Sequence, residues 1–526
     1  MKKTFISAVA VLAFASAAHA DELSDVKAQA KQLREQMSKR LADLEKRQKA
    51  LETERPAAPA VSPVDAMAAD LPYKAAVKAK APDNDDLCIK GICIYGNIDM
   101  GLSYQNHGAP LSPLAVGPLD YLVSKNSNGA YFGAGPNQLS TSFIGLRGKQ
   151  EIADNLYAVF NVQTLFDPAS GQTSSGIGSV AQNNGLAVTQ QTAFSDSSKA
   201  GQMFNNVAYF GVSSPTYGTL TIGRQTALSS DLVTNYDALG GSNAWSVLTY
   251  QGANGGGGDT EDRSYDNSFE YRLNLGPVRL AAEAQLRNGG NSGTGNAFEG
   301  DIGFDYMGFS MDFLGGKIYD AVSAAPLSIA QVQQASVLGL AVGNGQVAGT
   351  VSDNTVFQVG ARYTIGPWKF FAGYEHVDFA NPNNPLAAGA FLDGGFIVTA
   401  PTNTNFTTDK ILQTAWFGVK YSIMPSLDIT GAYYHEWQNS YVIGNGSNPT
   451  GSCSNVSSAG CSGTLDAVSL VVDWRFARHM DMYAGVMWSQ VENGLANGFL
   501  LANGLPGATG NKASAVDPGV GLRYQF

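Results

Sequence analysis

Residues able to do covalent or metal chemistry are sparse in this chain. His107, His376, His435 and His479 stand far apart, with no HExxH and no paired metal spacing. No GxSxG and no phosphate-cradling glycine motif occurs, and GGGGD at 255–259, found once, reads as a glycine loop rather than a repeated calcium-binding motif. The sequence therefore predicts no metal, no cofactor and no enzyme. Four cysteines remain, Cys88 and Cys93 in CIKGIC and Cys453 and Cys461 in CSNVSSAGC. They permit three pairings; the short loops favour Cys88–Cys93 and Cys453–Cys461, with zinc ligation as the rival that lacks a nearby histidine. Charge is the other resource: residues 226–262 carry Asp231, Asp237, Asp259, Glu261 and Asp262 and no Lys or Arg.

What holds these residues follows from composition and pattern. Of 526 residues only 15% are charged, 60 are glycine and 10% aromatic, an unusual balance for a soluble enzyme. The net charge of −11 argues against nucleic acid as a partner. MKKTFISAVAVLAFASAAHA has the basic start, apolar run and small-residue end of a secretory signal peptide, residues 1–20. Residues 21–55 lack Gly and Pro and repeat Leu23, Ala30, Met37, Leu44 and Leu51 every seven positions, with Val26, Leu33, Arg40 and Arg47 as the companion series. That is a coiled-coil seam weakened by arginine in its second half, with a lone exposed helix as the alternative. Residues 56–87 form a Pro/Ala-rich linker.

From residue 88 to 526 the texture is short alternating strands. Sixteen are predicted, near 92–104, 138–151, 154–166, 204–213, 217–225, 264–275, 277–287, 297–307, 309–318, 353–365, 367–378, 410–423, 426–437, 464–476, 479–490 and 515–526. Tight turns at Gly276-Pro277, Gly366-Pro367 and Met424-Pro425 alternate with long polar connections. An even number of antiparallel strands with this rhythm predicts an all-β transmembrane barrel in the outer membrane. Val278, Leu280, Ala282, Ala284 and Leu286 share one face, opposite Arg279, Glu283, Gln285 and Arg287. Phe357, Val359, Ala361, Tyr363 and Ile365 oppose Gln358, Arg362 and Thr364, and Val468, Leu470, Val472, Trp474 and Phe476 are set against Asp466, Asp473 and Arg475. Side chains cannot fill so wide a barrel, so the polar face should line water and the apolar face meet lipid. Aromatics near strand ends, among them Tyr95, Tyr265, Trp368, Phe379, Trp437, Tyr483 and Trp488, suit interfacial girdles, some facing the lumen. GVGLRYQF at 519–526 is the closing strand, paired to the first strand in ICIYGNIDMGLSY.

IYGNIDMGL, TSFIGLRGKQEIADNLYAVFNVQTLF, YFGVSSPTYGTLTIGRQ, DRSYDNSFEYR and GVGLRYQF, in that order, resemble the general diffusion porins of Gram-negative bacteria over about 92–526. The resemblance implies a homotrimer among outer-membrane lipid and lipopolysaccharide, passing small hydrophilic solutes, and a third loop folded into the barrel. On that pattern the loop carboxylates Asp231, Asp237, Glu261 and Asp262 face wall arginines, best matched by Arg224 and Arg263, with Arg147, Arg272, Arg279 and Arg362 at lumen parity. Asn97 and Phe143 stand where relatives often have basic residues. Arg224 shares parity with Leu220 and Ile222, so either Gly223 breaks the alternation or its assignment fails. Phe526 resembles the terminal signal of outer-membrane assembly. A solute-selective channel and a tether to peptidoglycan through periplasmic residues 21–55 are the alternative functions.

Overall fold

The computed structural model describes residues 39, 87–89, 91–107, 129–171, 173, 203–250, 264–286, 296–326, 347–383, 391–393, 396–398, 402–443, 461–496 and 512–526. Two compact units divide the chain, 1–66 and 67–526. The signal peptide, the coiled-coil series except Lys39, and the linker except Leu87 lie outside the described residues.

Sixteen long strands make the second unit. They are β1 (Ile92–Gln105), β2 in two pieces (Tyr131–Pro136 and Phe143–Ala153), β3 (Leu156–Leu165), β4 (Val207–Ser214), β5 (Gly218–Thr226), β6 (Ser264–Leu275), β7 (Val278–Gln285) and β8 (Ala297–Tyr306). The others are β9 (Phe309–Pro326), β10 (Val347–Ile365), β11 (Trp368–Ala380), β12 (Lys410–Met424), β13 (Leu427–Gln438), β14 (Gly463–Ala477), β15 (Met480–Asn493) and β16 (Lys512–Gln525). Every neighbouring pair is antiparallel, and β16 returns to β1 from Asn97↔Gln525 to Ser103↔Gly519, closing the barrel. Phe526 completes the seam by exchanging backbone hydrogen bonds with Gly96, 2.8 and 3.1 Å. Closure leaves no strand edge for lipid to meet. Short turns at one end alternate with long connections at the other, as the sequence rhythm predicts.

Cys88 and Cys93 are disulfide-bonded across a hairpin whose first strand, Leu87–Ile89, pairs with Ile92–Ile94. Cys461 is disulfide-bonded too, and Cys453 lies outside the described residues.

Three details differ from the sequence reading. The expected strand 138–151 is broken at 137–142, where Asn137 takes a positive φ of 59° and the Asp99 carboxylate accepts the Leu139 and Ser140 amides at 3.0 and 2.7 Å. β9 and β10 run longer, through a register shift between Ile318 and Ala321 that the weak alternation of DAVSAAP hides. Asp466 lies on the same face as Val468 and Leu470, pointing outward, where it accepts from Tyr433 Oη at 2.6 Å and pairs with His435 Nδ1 at 2.8 Å. Its position in the strand, two residues from Val468, sets that face.

The outward face is apolar between two polar or aromatic rims. On β16 it runs from Ser514 through Val516, Pro518, Val520 and Leu522 to Tyr524. Ten residues at roughly 3.4 Å each, tilted about 40°, give about 26 Å of height, matching a bilayer's apolar band. Trp368 and Tyr421 (centroids 4.3 Å apart), Trp474 and Phe476 mark the short-turn rim, and Trp437 the other. Tyr265, Phe379 and Tyr483, by contrast, are buried in the interior. Val520, 50% exposed at mid-height, gives a direct test: V520R should cost about 2–4 kcal/mol of stability in lipid vesicles, read by urea unfolding.

Candidate pore constriction

The interior is not uniformly wet. Leu314, Val356, Phe371, Val377, Leu412, Trp416, Val471 and Met487 point inward from β9–β15 and are buried. What covers them is the described part of the connection between β5 and β6, residues 227–248. Its first part folds as helix α1 (Leu228–Tyr236), which opens with Asp231 in the first turn, a favourable place for negative charge. Leu228, Leu232, Val233 and Tyr236 of α1, then Ala238, Leu239, Trp245, Val247 and Leu248, join the inward apolar residues in one cluster. Burying that surface against the wall draws the loop into the barrel.

Polar contacts then fix its course around the wall. The Glu299 carboxylate of β8 accepts from the Ser229 amide at 3.1 Å and from Tyr265 Oη at 3.0 Å. Tyr236 Oη meets Ser310 Oγ of β9 at 2.8 Å, and its carbonyl accepts from Trp416 Nε1 of β12 at 2.9 Å. Tyr434 Oη donates to Asp237 at 2.7 Å. Burial pushes the Asp237 carboxyl above its usual range, against the opposing pull of the Gly241 amide and Tyr434. The Ala244 amide and Ser242 hydroxyl both donate to the Gln138 carbonyl, so the break in β2 is a dock for the loop. Trp245 donates to the Asp517 carbonyl at 3.2 Å and accepts from Ser469 Oγ at 2.6 Å. Inward glycines seat the large rings: a Cβ at Gly360 would lie 2.6 Å from the Tyr236 ring, and one at Gly485 2.7 Å from the Trp245 indole.

Of the charges expected at the constriction, Arg272 and Asp231 are seen, among the described residues, to join loop to wall. Arg272 of β6 holds Asp231 at 2.5 Å and Glu270 at 2.5 Å. Arg279 of β7 reaches the loop through Tyr236 Oη at 3.0 Å while pairing with Asp312 at 2.5 Å. Arg362 lies inside the wall near Tyr236, and Arg147 lies over the Tyr95 ring at 4.6 Å. Asp237 is an anchor under the loop. Arg263, Glu261, Asp262 and Asp259 lie outside the described residues.

Arg224 is not lipid-facing. A register shift between Gly223 and Gln225, with Gly223 at φ 138°, turns Arg224 inward after Leu220 and Ile222 point out. Its guanidinium holds Asp266 at 2.5 Å and the Asn205 carbonyl at 2.9 Å, a bond within the wall. Asn97 donates to Ser140 Oγ at 2.7 Å, and Phe143 meets Tyr95 edge-on, so neither adds a cation.

The description Gram-negative porin matches residues 56–494, most of the chain. This chain belongs to the Gram-negative porin family. It is 25% identical over 149 residues to an outer membrane porin protein of Bordetella pertussis, a match covering 28% of this chain and 31% of that protein's length. The anion-selective porin from Comamonas acidovorans has the same fold, with TM-score 0.52 and 15% identity over 83% of this chain and 99% of that one. OmpT of Vibrio cholerae gives TM-score 0.49 and 14% identity over 84% and 100%.

The porin also carries groups that sequence reading missed. Glu270, Glu283 and Glu299 stand in register on β6, β7 and β8, all inward. Glu283, in the middle, is 3% exposed, and neither carboxylate oxygen has a hydrogen-bond partner among the described residues. Carboxyl groups set directly opposite one another are destabilising, the more so when the middle one is buried without a partner. E283Q should therefore raise the porin's thermal unfolding midpoint in detergent, and a lowered midpoint would count against the repulsion. A second set, Lys369, Lys420, Arg475 and Arg523 with Asp428, Asp473 and Asp481, lines the short-turn half, and of these the sequence reading had placed only Asp473 and Arg475. The strand alternation could have revealed it, since all seven share inward parity.

Proposed function

We propose that this porin is a homotrimeric, water-filled channel that lets ions and small hydrophilic solutes diffuse passively across the outer membrane. The observation that carries this is a closed sixteen-stranded wall narrowed by a loop held through Arg272 and Asp231. Such a neck, with guanidinium against carboxylates, sets a transverse field that orients dipolar solutes and disfavours apolar ones. Stepwise conductance in planar bilayers tests it; protein that inserts without conducting would remove it. Residues 21–55, ahead of the barrel, are read as a trimerising periplasmic coiled coil that reaches the cell wall. Their heptad series supports this. Deleting 21–86 should abolish binding to peptidoglycan fragments and leave conductance in place.

A further inference from the structure

Four adjacent strands carry one polar row across the dry inner face of the wall. Gln358 of β10, Glu375 of β11, Thr414 of β12 and Glu436 of β13 are register partners in turn, and each is 1% exposed or less. Val356, Val377 and Leu412 border the row toward the long connections, and Trp416 and Tyr434 border it toward the short turns. Those two rings anchor the constriction loop, Trp416 through the Tyr236 carbonyl and Tyr434 through Asp237.

At the β10–β11 end the row is bonded within the wall, where Gln358 Nε2 donates to Glu375 at 2.6 Å. At the other end, neither carboxylate oxygen of Glu436 has a hydrogen-bond partner among the described residues, and neither has the Thr414 hydroxyl beside it. The cation that acts on Glu436 is Lys410, four residues from Thr414 along β12 and set over the Phe379 ring at 4.9 Å. Lys410 makes further contacts of its own, and one ammonium against two carboxylates leaves negative charge in surplus. A buried carboxylate without a hydrogen bond is costly unless a positive group reaches it.

Direct register partners have Cβ atoms about 4.5–5.5 Å apart, so Glu375 and Glu436 flank Thr414 at about 10 Å from each other. Two glutamate side chains can close that span around an ion, with the Thr414 hydroxyl between them. No group of three His, Cys, Asp or Glu side chains among the described residues is placed to hold a metal ion. This row offers two carboxylates and a hydroxyl instead, oxygen donors throughout, the set that a hard cation takes. We propose that Glu375, Thr414 and Glu436 bind a divalent cation of calcium's class inside the barrel wall. The ion supplies the missing positive charge and ties β11, β12 and β13 together directly behind the loop's anchors. The site is independent of the channel reading.

The full chain, refolded in detergent without lipopolysaccharide and stripped with EDTA, is titrated with terbium and excited through tryptophan. Trp416 lies two residues from Thr414 on the same face and sensitises the ion. Saturable terbium luminescence displaced by calcium is expected, together with a higher thermal unfolding midpoint in calcium than in EDTA. E436Q should weaken the terbium affinity by more than about tenfold, the loss that removing even an outer partner causes, and should abolish the calcium shift. T414V should weaken the affinity too, a readout that stands if E436Q fails to refold. E283Q, in the acidic row of β6–β8, should keep the wild-type terbium affinity. Folded wild type without a saturable signal, equal affinities in wild type and E436Q, or a signal lost only in E283Q would overturn the site.

Discussion

Arg272→Ala is expected to widen the neck and make the pore strongly cation-preferring. The guanidinium holds a loop carboxylate, Asp231, and a wall carboxylate, Glu270, each at 2.5 Å. Glu283 stands directly beside Glu270. Removing the guanidinium leaves Asp231 of the loop and Glu270 of the wall without that counter-charge, with Glu283 adjacent. Breaking a buried pair from one side costs roughly 3–5 kcal/mol, and water in the lumen pulls this toward the low end because Arg272 is 19% exposed. The loop's first turn then loses one wall contact but keeps Glu299 through the Ser229 amide. Single-channel conductance and reversal potential under a salt gradient check this. An R272A pore with wild-type values of both would show that the pair neither narrows nor biases the channel. R272K should fall between, since an ammonium keeps the charge but not the two-pronged geometry.

Trp245→Ala should free the far end of the same loop. The indole is fully buried, packs edge-on against Tyr483 with centroids 5.6 Å apart, and bonds β14 and β16 through its carbonyl and Nε1. Truncating a buried Trp costs about 3–5 kcal/mol. The barrel's own strand pairing does not depend on this ring, so the loss should fall on loop docking. Expected results are a larger and noisier single-channel conductance with strand content unchanged by circular dichroism. Unaltered conductance would mean that the contacts at Asn137, Gln138 and Asp237 suffice to hold the loop.

The barrel was legible because lipid imposes a single rule on every strand. Apolar residues at even spacing, as in Val516, Val520 and Leu522, can face only hydrocarbon when their neighbours are Asp517, Gly521 and Arg523. Turn prolines and glycines then mark the short end, and the strand count follows. Residue order and pattern were enough for sixteen strands, most of their faces, the seam of β1 with β16, and an acidic loop between β5 and β6. They also pointed to Arg272, Arg279 and Arg362 as inward, since parity alone decides that.

Partners across the lumen needed the tertiary structure. Asp231 meets Arg272 after 41 intervening steps of chain and a helix that no periodic signal announced, because α1 takes its stability from the wall it covers. Arg224 escaped the alternation through a bulge, which shifts every later side chain by one face. The dry inner face of β9–β15 was hidden for a related reason. Phe371, Trp416 and Val471 are apolar on the side assigned to water, and only a distant segment, folded back through the barrel, makes that placement favourable. Alternation records the solvent on each side of a strand; it cannot say when the second solvent is another part of the same chain.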